Sequence, residues 1–194
     1  MSGKPGGAIV GTFPSLKLDR PVRYTSSLER DVLFVLEFER AILCYQEQPF
    51  QIEMDLPDGK THRYTPDYAI WLTEGRMLVE CKPLKRVSEN HSQQQIQIGT
   101  QWSAENDWQF MVVTDVDLRT GSRLENLKLL WRYSRLAVSE KECHAWQARC
   151  QRGMSVLDLA QSPDRVPVVM SLLFHHYLQT DLSQSLTMQS QVWC

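Results

Sequence analysis

Between residues 42 and 114, apolar runs of strand length alternate with short turn signals and then with one polar stretch of helix length, a pattern that few folds accommodate. Ile42 to Met54 and Arg63 to Leu72 read as strands joined by Leu-Pro-Asp-Gly-Lys, in which Pro57, Asp58 and Gly59 supply the turn chemistry. Glu74 and Gly75 form a second tight turn into a strand from Met77 to Lys82. Pro83 ends it, because proline has no N–H to give to a ladder. Residues 88–105 are rich in Ser, Gln and Glu, with Ile96, Ile98 and Trp102 interspersed, and read as a helix; Trp108 to Val113 is an apolar run typical of a buried strand. Strand, helix and strand in this order make a βαβ unit. Together with the preceding hairpin it predicts an α/β fold, a mixed sheet flanked by helices.

The flanking segments differ from this centre. Residues 1–24 contain Gly3, Pro5, Gly6, Gly7, Gly11, Pro14 and Pro21 and read as an arm or extended entry strand. Without a G-K-[ST] ending or a preceding strand, these glycines do not form a phosphate loop. Ser26 offers a helix N-cap with Glu29 in the first turn, and the apolar run that follows predicts a buried helix over 26–40. From Ser139 onward, helices to about Gln151, over 155–161 and over 166–179, then a β-tending end from Leu186 to Trp193, outline a winged-helix module. The expected division is an arm over 1–24, a central domain over 25–136 and a C-terminal domain over 137–194.

With 194 residues, 42% of them hydrophobic and 23% charged, the chain has enough apolar material for a buried core. Its apolar runs fall far short of the roughly 20 residues of a membrane span. Its five cysteines contain no C-x-x-C pair and suit free thiols in a reducing compartment; with no secretory-type apolar start, the expectation is a cytoplasmic protein. A net charge of −2 gives no bulk sign of nucleic-acid binding. Local basic surface exists, however: Arg119, Arg123, Lys128, Arg132 and Arg135 stand against Glu125, and Lys4, Lys17, Arg20 and Arg23 against Asp19.

The chemistry lies in Asp67 and, thirteen positions on, Glu80-Cys81-Lys82. On a strand Glu80 and Lys82 share a face and Cys81 points to the other. If the strand after Asp67 pairs antiparallel with 77–82, Asp67 and Glu80 converge at one end of the sheet. Two carboxylates there suit Mg²⁺, which takes one or two of them plus waters, and Lys82 stands ready to orient a water or offset charge at a phosphodiester. Glu29 borders the buried side of its helix and is the third acid in reach; its simpler role is a first-turn acid that favours the helix dipole.

Five segments in order, Ser27-Leu28-Glu29-Arg30-Asp31, Tyr45-Gln46-Glu47-Gln48-Pro49, Arg63-Tyr64-Thr65-Pro66-Asp67-Tyr68, Leu78-Val79-Glu80-Cys81-Lys82-Pro83 and Val112-Val113-Thr114-Asp115, resemble the TnsA endonuclease family. The resemblance implies a restriction-endonuclease-like PD-(D/E)xK core and a C-terminal winged-helix-like region. It implies nicking at the 5′ ends of a cut-and-paste transposon, beside a TnsB-type DDE integrase and a TnsC-type AAA ATPase. Carried over, Glu29, Asp67, Glu80 and Lys82 are the catalytic positions. Mg²⁺, or Mn²⁺ in its place, would be held by Asp67, Glu80, the Cys81 backbone carbonyl and Glu29. Lys85, Arg86, Arg119, Arg123, Lys128 and Arg132 are the expected contacts to double-stranded DNA at the transposon ends. A family member has Gln where this chain has Glu80, which restores the fuller restriction-enzyme pattern. In the tail, Lys141, Arg149, Arg152 and Arg165 are outnumbered by Glu140, Glu142, Asp158, Asp164 and Asp181, which favours protein contact there over phosphate binding. The resemblance places the protein in a bacterial cytoplasm, at the nucleoid when bound to DNA, and implies no membrane. The rival readings are a stand-alone PD-(D/E)xK restriction or repair nuclease and a catalytically silent DNA-bridging subunit.

Overall fold

Residues 11–24 form a β-hairpin, β1 (Gly11–Ser15) paired antiparallel with β2 (Arg20–Tyr24), with Phe13 and Val22 buried. The computed structural model describes residues 9–194, so Gly3, Lys4, Pro5, Gly6 and Gly7 of the expected arm lie outside the described residues. The hairpin is fastened to α1 (Ser27–Phe38) by the buried carboxylate of Glu37, which accepts hydrogen bonds from the Ser15 and Tyr45 hydroxyls and the backbone N–H groups of Leu16 and Lys17. Lys17 extends to the carbonyls of Glu39 and Ile42 and is thereby part of the framework. Ser26 caps α1 as expected, accepting from the Glu29 N–H.

The two long strand runs are each cut in two. Ile42 to Met54 becomes β3 (Ile42–Glu47) and β4 (Ile52–Asp55), because Gln48 adopts a left-handed φ of 42° and Pro49 follows. Arg63 to Leu72 becomes β5 (Thr61–Tyr64) and β6 (Tyr68–Leu72), parted at Pro66, which cannot donate to a ladder. The Pro-Asp-Gly turn joins β4 to β5 with Gly59 at φ 75°, and this pair stands apart as its own hairpin. The two breaks meet, since the Gln48 N–H donates to the Asp67 carbonyl at 2.9 Å. Two irregularities of the chain thus fix the backbone just before β6.

After the turn at Gly75, β7 (Arg76–Cys81) leads through a single helical turn, α2 (Leu84–Val87), into α3 (Asn90–Glu105), β8 (Gln109–Val113) and α4 (Asp115–Arg119). The four-stranded sheet has the order β3-β6-β7-β8, antiparallel except for the β7-β8 pair joined by the α3 crossover. This is the mixed sheet flanked by helices that the residue pattern predicts, and it matches a restriction-endonuclease-like fold. On the α3 side, Ile52, Leu56, Tyr64, Ala69, Leu78 and Ile98 form a buried cluster edged by Phe50, Trp71, Trp102, Trp108 and Phe110. Gly99 lets α3 approach β8, as a Cβ there would lie 2.3 Å from the Phe110 ring. Gly99→Ala is expected to lower stability by about 1–3 kcal/mol, the usual cost of overpacking, in urea unfolding.

The chain divides into compact units between Leu118 and Arg119. In the second unit α5 (Arg123–Trp131), α6 (Glu140–Arg149), α7 (Val156–Ala160), a short 3₁₀ turn (Pro163–Arg165) and α8 (Val166–Phe174) precede a two-residue ribbon of β9 (Gln179–Thr180) and β10 (Val192–Trp193). Helices followed by a ribbon is the order the tail sequence outlines. Ser139 and Ser155 start α6 and α7 with reciprocal capping boxes. The last helix ends at Phe174, not at 179, because His176 turns left-handed at φ 59°. The buried Asn126 amide binds the carbonyls of Leu182 and Gln184 and accepts from the Leu186 N–H, tying the C-terminal segment to α5. Among the described residues no helix is long and apolar enough to cross a membrane.

Candidate active site

The register of β6 and β7 builds the site. Tyr68 pairs with Val79, so Asp67, one residue earlier, comes to the end of β7 beside Glu80. Asp67 Oδ2 accepts from the Cys81 N–H at 2.7 Å. Glu80 shares the α3 face of the strand with Leu78. Its carboxylate, 3% exposed, binds Lys82 Nζ at 2.8 Å and the Tyr64 hydroxyl at 2.7 Å. Cys81 faces the other way and is buried. The ladder continues past the strand end, where the Lys82 N–H donates to the Val113 carbonyl.

Glu29 approaches from α1. Its backbone carbonyl accepts from the Tyr68 hydroxyl, and its carboxylate is turned to the N–H and hydroxyl of Thr25. The charges meet at Asp67: burial and then the Glu80 carboxylate push its carboxyl up to about 8, with Glu29 adding and the Cys81 N–H and Lys82 opposing. Burial also holds the Tyr64, Tyr68 and Cys81 protons in place, helped by the same neighbouring acids.

Among the described residues no group of three or more His, Cys, Asp and Glu side chains stands ready-made for a metal ion. The carboxylates are engaged instead with Thr25, Tyr64, Lys82 and the Cys81 amide. The donor chemistry still fits a hard divalent cation. Oxygen donors from Asp67 and Glu80 meet at a strand end, and the raised Asp67 carboxyl marks a surplus of negative charge there that a cation would offset.

Residues 39–115, the stretch from the end of α1 to the start of α4, match the family model described as TnsA-like endonuclease N terminal. The chain carries a TnsA-like endonuclease domain. No curated protein matches the chain. The matched residues hold Asp67, Glu80, Cys81 and Lys82, together with Tyr64 and the α3 crossover, while Glu29 lies just before them. Of the expected DNA contacts, Lys85 and Arg86 are exposed on α2 one turn past Lys82 in the endonuclease domain. Arg119, Arg123, Lys128 and Arg132 belong to the second unit, where Lys128 pairs with Glu125 at 2.9 Å. In the same unit Arg149 and Arg165 stack on Trp146, and His175 Nε2 lies 2.9 Å from the Ser134 carbonyl. These tail side chains are thus engaged in the packing of their own unit.

Sequence reasoning misses Tyr64, which buttresses Glu80, and Asp115, whose carboxylate accepts from the Leu84 N–H at the start of α2. Tyr64 lies two strands of sequence away from Glu80. The one hint is its place three residues before Asp67, in the same run that carries the motif.

Proposed function

We propose that the protein is the endonuclease subunit of a transposase, hydrolysing phosphodiester bonds at the 5′ ends of a transposon with a divalent metal ion. The observation that carries the reading is the meeting of Asp67, Glu80 and Lys82 at the end of β7, inside a TnsA-like endonuclease domain. Asp67 and Glu80 would hold Mg²⁺, or Mn²⁺ in its place, with the Cys81 carbonyl and Glu29 completing the set. The ion, when bound, supplies Lewis acidity at the phosphodiester and a more acidic water. Lys82 then has two tasks: it keeps the Glu80 carboxylate oriented, and it places a positive charge beside the developing negative charge of the phosphoryl group. Tyr64 holds the second oxygen of Glu80, so the carboxylate is fixed from both ends. Lys85 and Arg86 on α2, with Arg119, Arg123, Lys128 and Arg132, supply charge for the DNA backbone. A TnsB-type integrase would cut and join the opposite strands, and a TnsC-type ATPase would couple the pair to target DNA.

Metal dependence is tested by incubating the protein and the integrase and ATPase of its own transposon with labelled transposon-end DNA. Cleavage of the 5′-ended strand is expected in Mg²⁺ or Mn²⁺ and lost on adding a chelator. Equal cleavage in the chelator would remove the metal from the account.

A further inference from the structure

We propose that Arg20 and Arg23, on the N-terminal hairpin, form a phosphate-binding wall in the cleft beside the active site. The proposal deepens the nuclease reading and rests on it. A cleft of about 340 Å³ opens beside the sheet end, and its lining brings Asp67, Tyr68 and Glu29 together with Arg20, Arg23 and Glu47. With three carboxylates in its lining, this space would repel a nucleic-acid backbone were it not for the two arginines, the cations among its lining residues. Lys82 is engaged with Glu80 on the α3 face of the sheet and does not line the cleft.

Arg20 is held and not merely present. Arg20 meets Glu47 through two parallel hydrogen bonds of 2.7 and 2.6 Å and gives a further N–H to the Pro21 carbonyl. A guanidinium has five N–H donors in a planar fork. Three are used here, all on its two terminal nitrogens, which leaves Nε–H and one neighbouring N–H: the second edge of the fork, of the shape that takes two phosphate oxygens. The Arg20 side chain is 43% exposed, and this second edge has no hydrogen-bond partner among the described residues. Arg23 is exposed and makes no ion pair among the described residues. Its backbone N–H helps hold Glu47: burial pushes that carboxyl up, but the hydrogen bonds and charge of Arg20 together with the backbone N–H groups of Glu47 and Arg23 keep it below its usual value.

The hairpin itself is rigid where it matters. Buried Glu37 clamps the turn between β1 and β2 to α1 through Ser15, Leu16 and Lys17, and Tyr45 joins the same carboxylate from β3, the strand that carries Glu47. A single buried anchor therefore sets the spacing between the arginine side and the strand that orients it. The ligand class is the phosphodiester backbone of DNA, contacted next to the bond to be cut.

The test is binding of a fluorescein-labelled duplex carrying the transposon end by the full chain, in the cleavage-silent Asp67→Asn background, across a salt series. Each lost phosphate contact lowers the log–log salt slope by about 0.9. Arg20→Ala with Arg23→Ala is expected to weaken binding at least tenfold, as the loss of charge-assisted hydrogen bonds does, and to lower the slope by about 1.8. Arg20→Lys keeps the charge and the fold while removing the fork, and is expected to retain the slope and lose affinity. An unchanged thermal midpoint certifies the variants as folded. If the parent chain binds and its Asp67 form cuts, but the double variant binds with the same affinity and slope, the phosphate wall is wrong and the nuclease reading stands. If the parent neither binds nor cuts with its partners present, both fall together.

Discussion

Asp67→Asn is expected to silence DNA cleavage and, in the same molecule, to make the metal-free protein more stable at pH 8. Cleavage should fall by more than about a hundredfold, since changes even to the outer partners of metal ligands cost about 10–100-fold. The stability gain follows from the raised carboxyl. Asp67 ionises near 8 in the folded protein against an ordinary 3.8, because it is buried among the charges of Glu80 and Glu29. The folded state therefore holds this proton more tightly than the unfolded chain. The stabilisation it confers is full below about pH 3.8 and is lost as pH rises through 8. Asn does not ionise and escapes this loss. Thermal unfolding in a chelator should show the variant ahead of the parent at pH 8, with the gap closing toward pH 4. A variant no more stable at pH 8, or one that still cuts, would mean that Asp67 is not the acid at which the charges meet. A cation held at Asp67 would relieve this instability.

Lys82→Ala carries the second large effect, and here loss of stability and loss of rate can be separated. Glu80 is 3% exposed and is balanced by Lys82 on one oxygen and by the Tyr64 hydroxyl on the other. Removing one partner of a buried pair leaves an uncompensated charge, at a cost of about 3–5 kcal/mol. Lys82 itself is 19% exposed, so water softens the penalty and the lower end, about 3 kcal/mol, is expected in urea unfolding. Adding Glu80→Gln should restore most of that stability, because the orphaned charge is gone. It should not restore cleavage, which is expected to stay down by at least about 10²–10³-fold with the Lys82 charge gone from beside the phosphoryl group and the Glu80 carboxylate gone from the proposed metal site. Recovery of both in the double variant would make the pair purely structural.

Much of the active end of the fold is legible in the residues, for reasons that are local. Pro57-Asp58-Gly59 and Glu74-Gly75 announce their turns, Pro83 announces the end of β7, and strand alternation alone puts Glu80 and Lys82 together. The Asp67–Glu80 meeting needs only the antiparallel pairing across a tight turn, and β6 and β7 provide it. What escapes the sequence is set by the chain's three-dimensional path. The left-handed backbone at Gln48 splits a run read as one strand across its Gln46-Glu47-Gln48-Pro49 stretch, and nothing in those residues marks the hydrogen bond from Gln48 to Asp67. Residues 1–24 read as an arm or extended entry strand because seven glycines and prolines are scattered through them, a composition that does not show where a hairpin turns. The clamp on Glu37 depends on Ser15 and Tyr45, which lie 22 and 8 positions from it. Glu29 shows the limit from the other side: its place on α1 is plain, whereas its carboxylate turns to Thr25, the simpler role of a first-turn acid.

The central claim is that one end of β7 hydrolyses DNA, and strand polarity tests it most directly. Transposon-end DNA labelled separately on each strand is incubated in Mg²⁺ with the protein and its partner integrase and ATPase, and the products are sized and their ends assigned. The account predicts a cut in the 5′-ended strand that leaves 3′-hydroxyl and 5′-phosphate ends and disappears with Asp67→Asn. An intact 5′-ended strand while the integrase cuts the other, or the same cut made by Asp67→Asn, would contradict it.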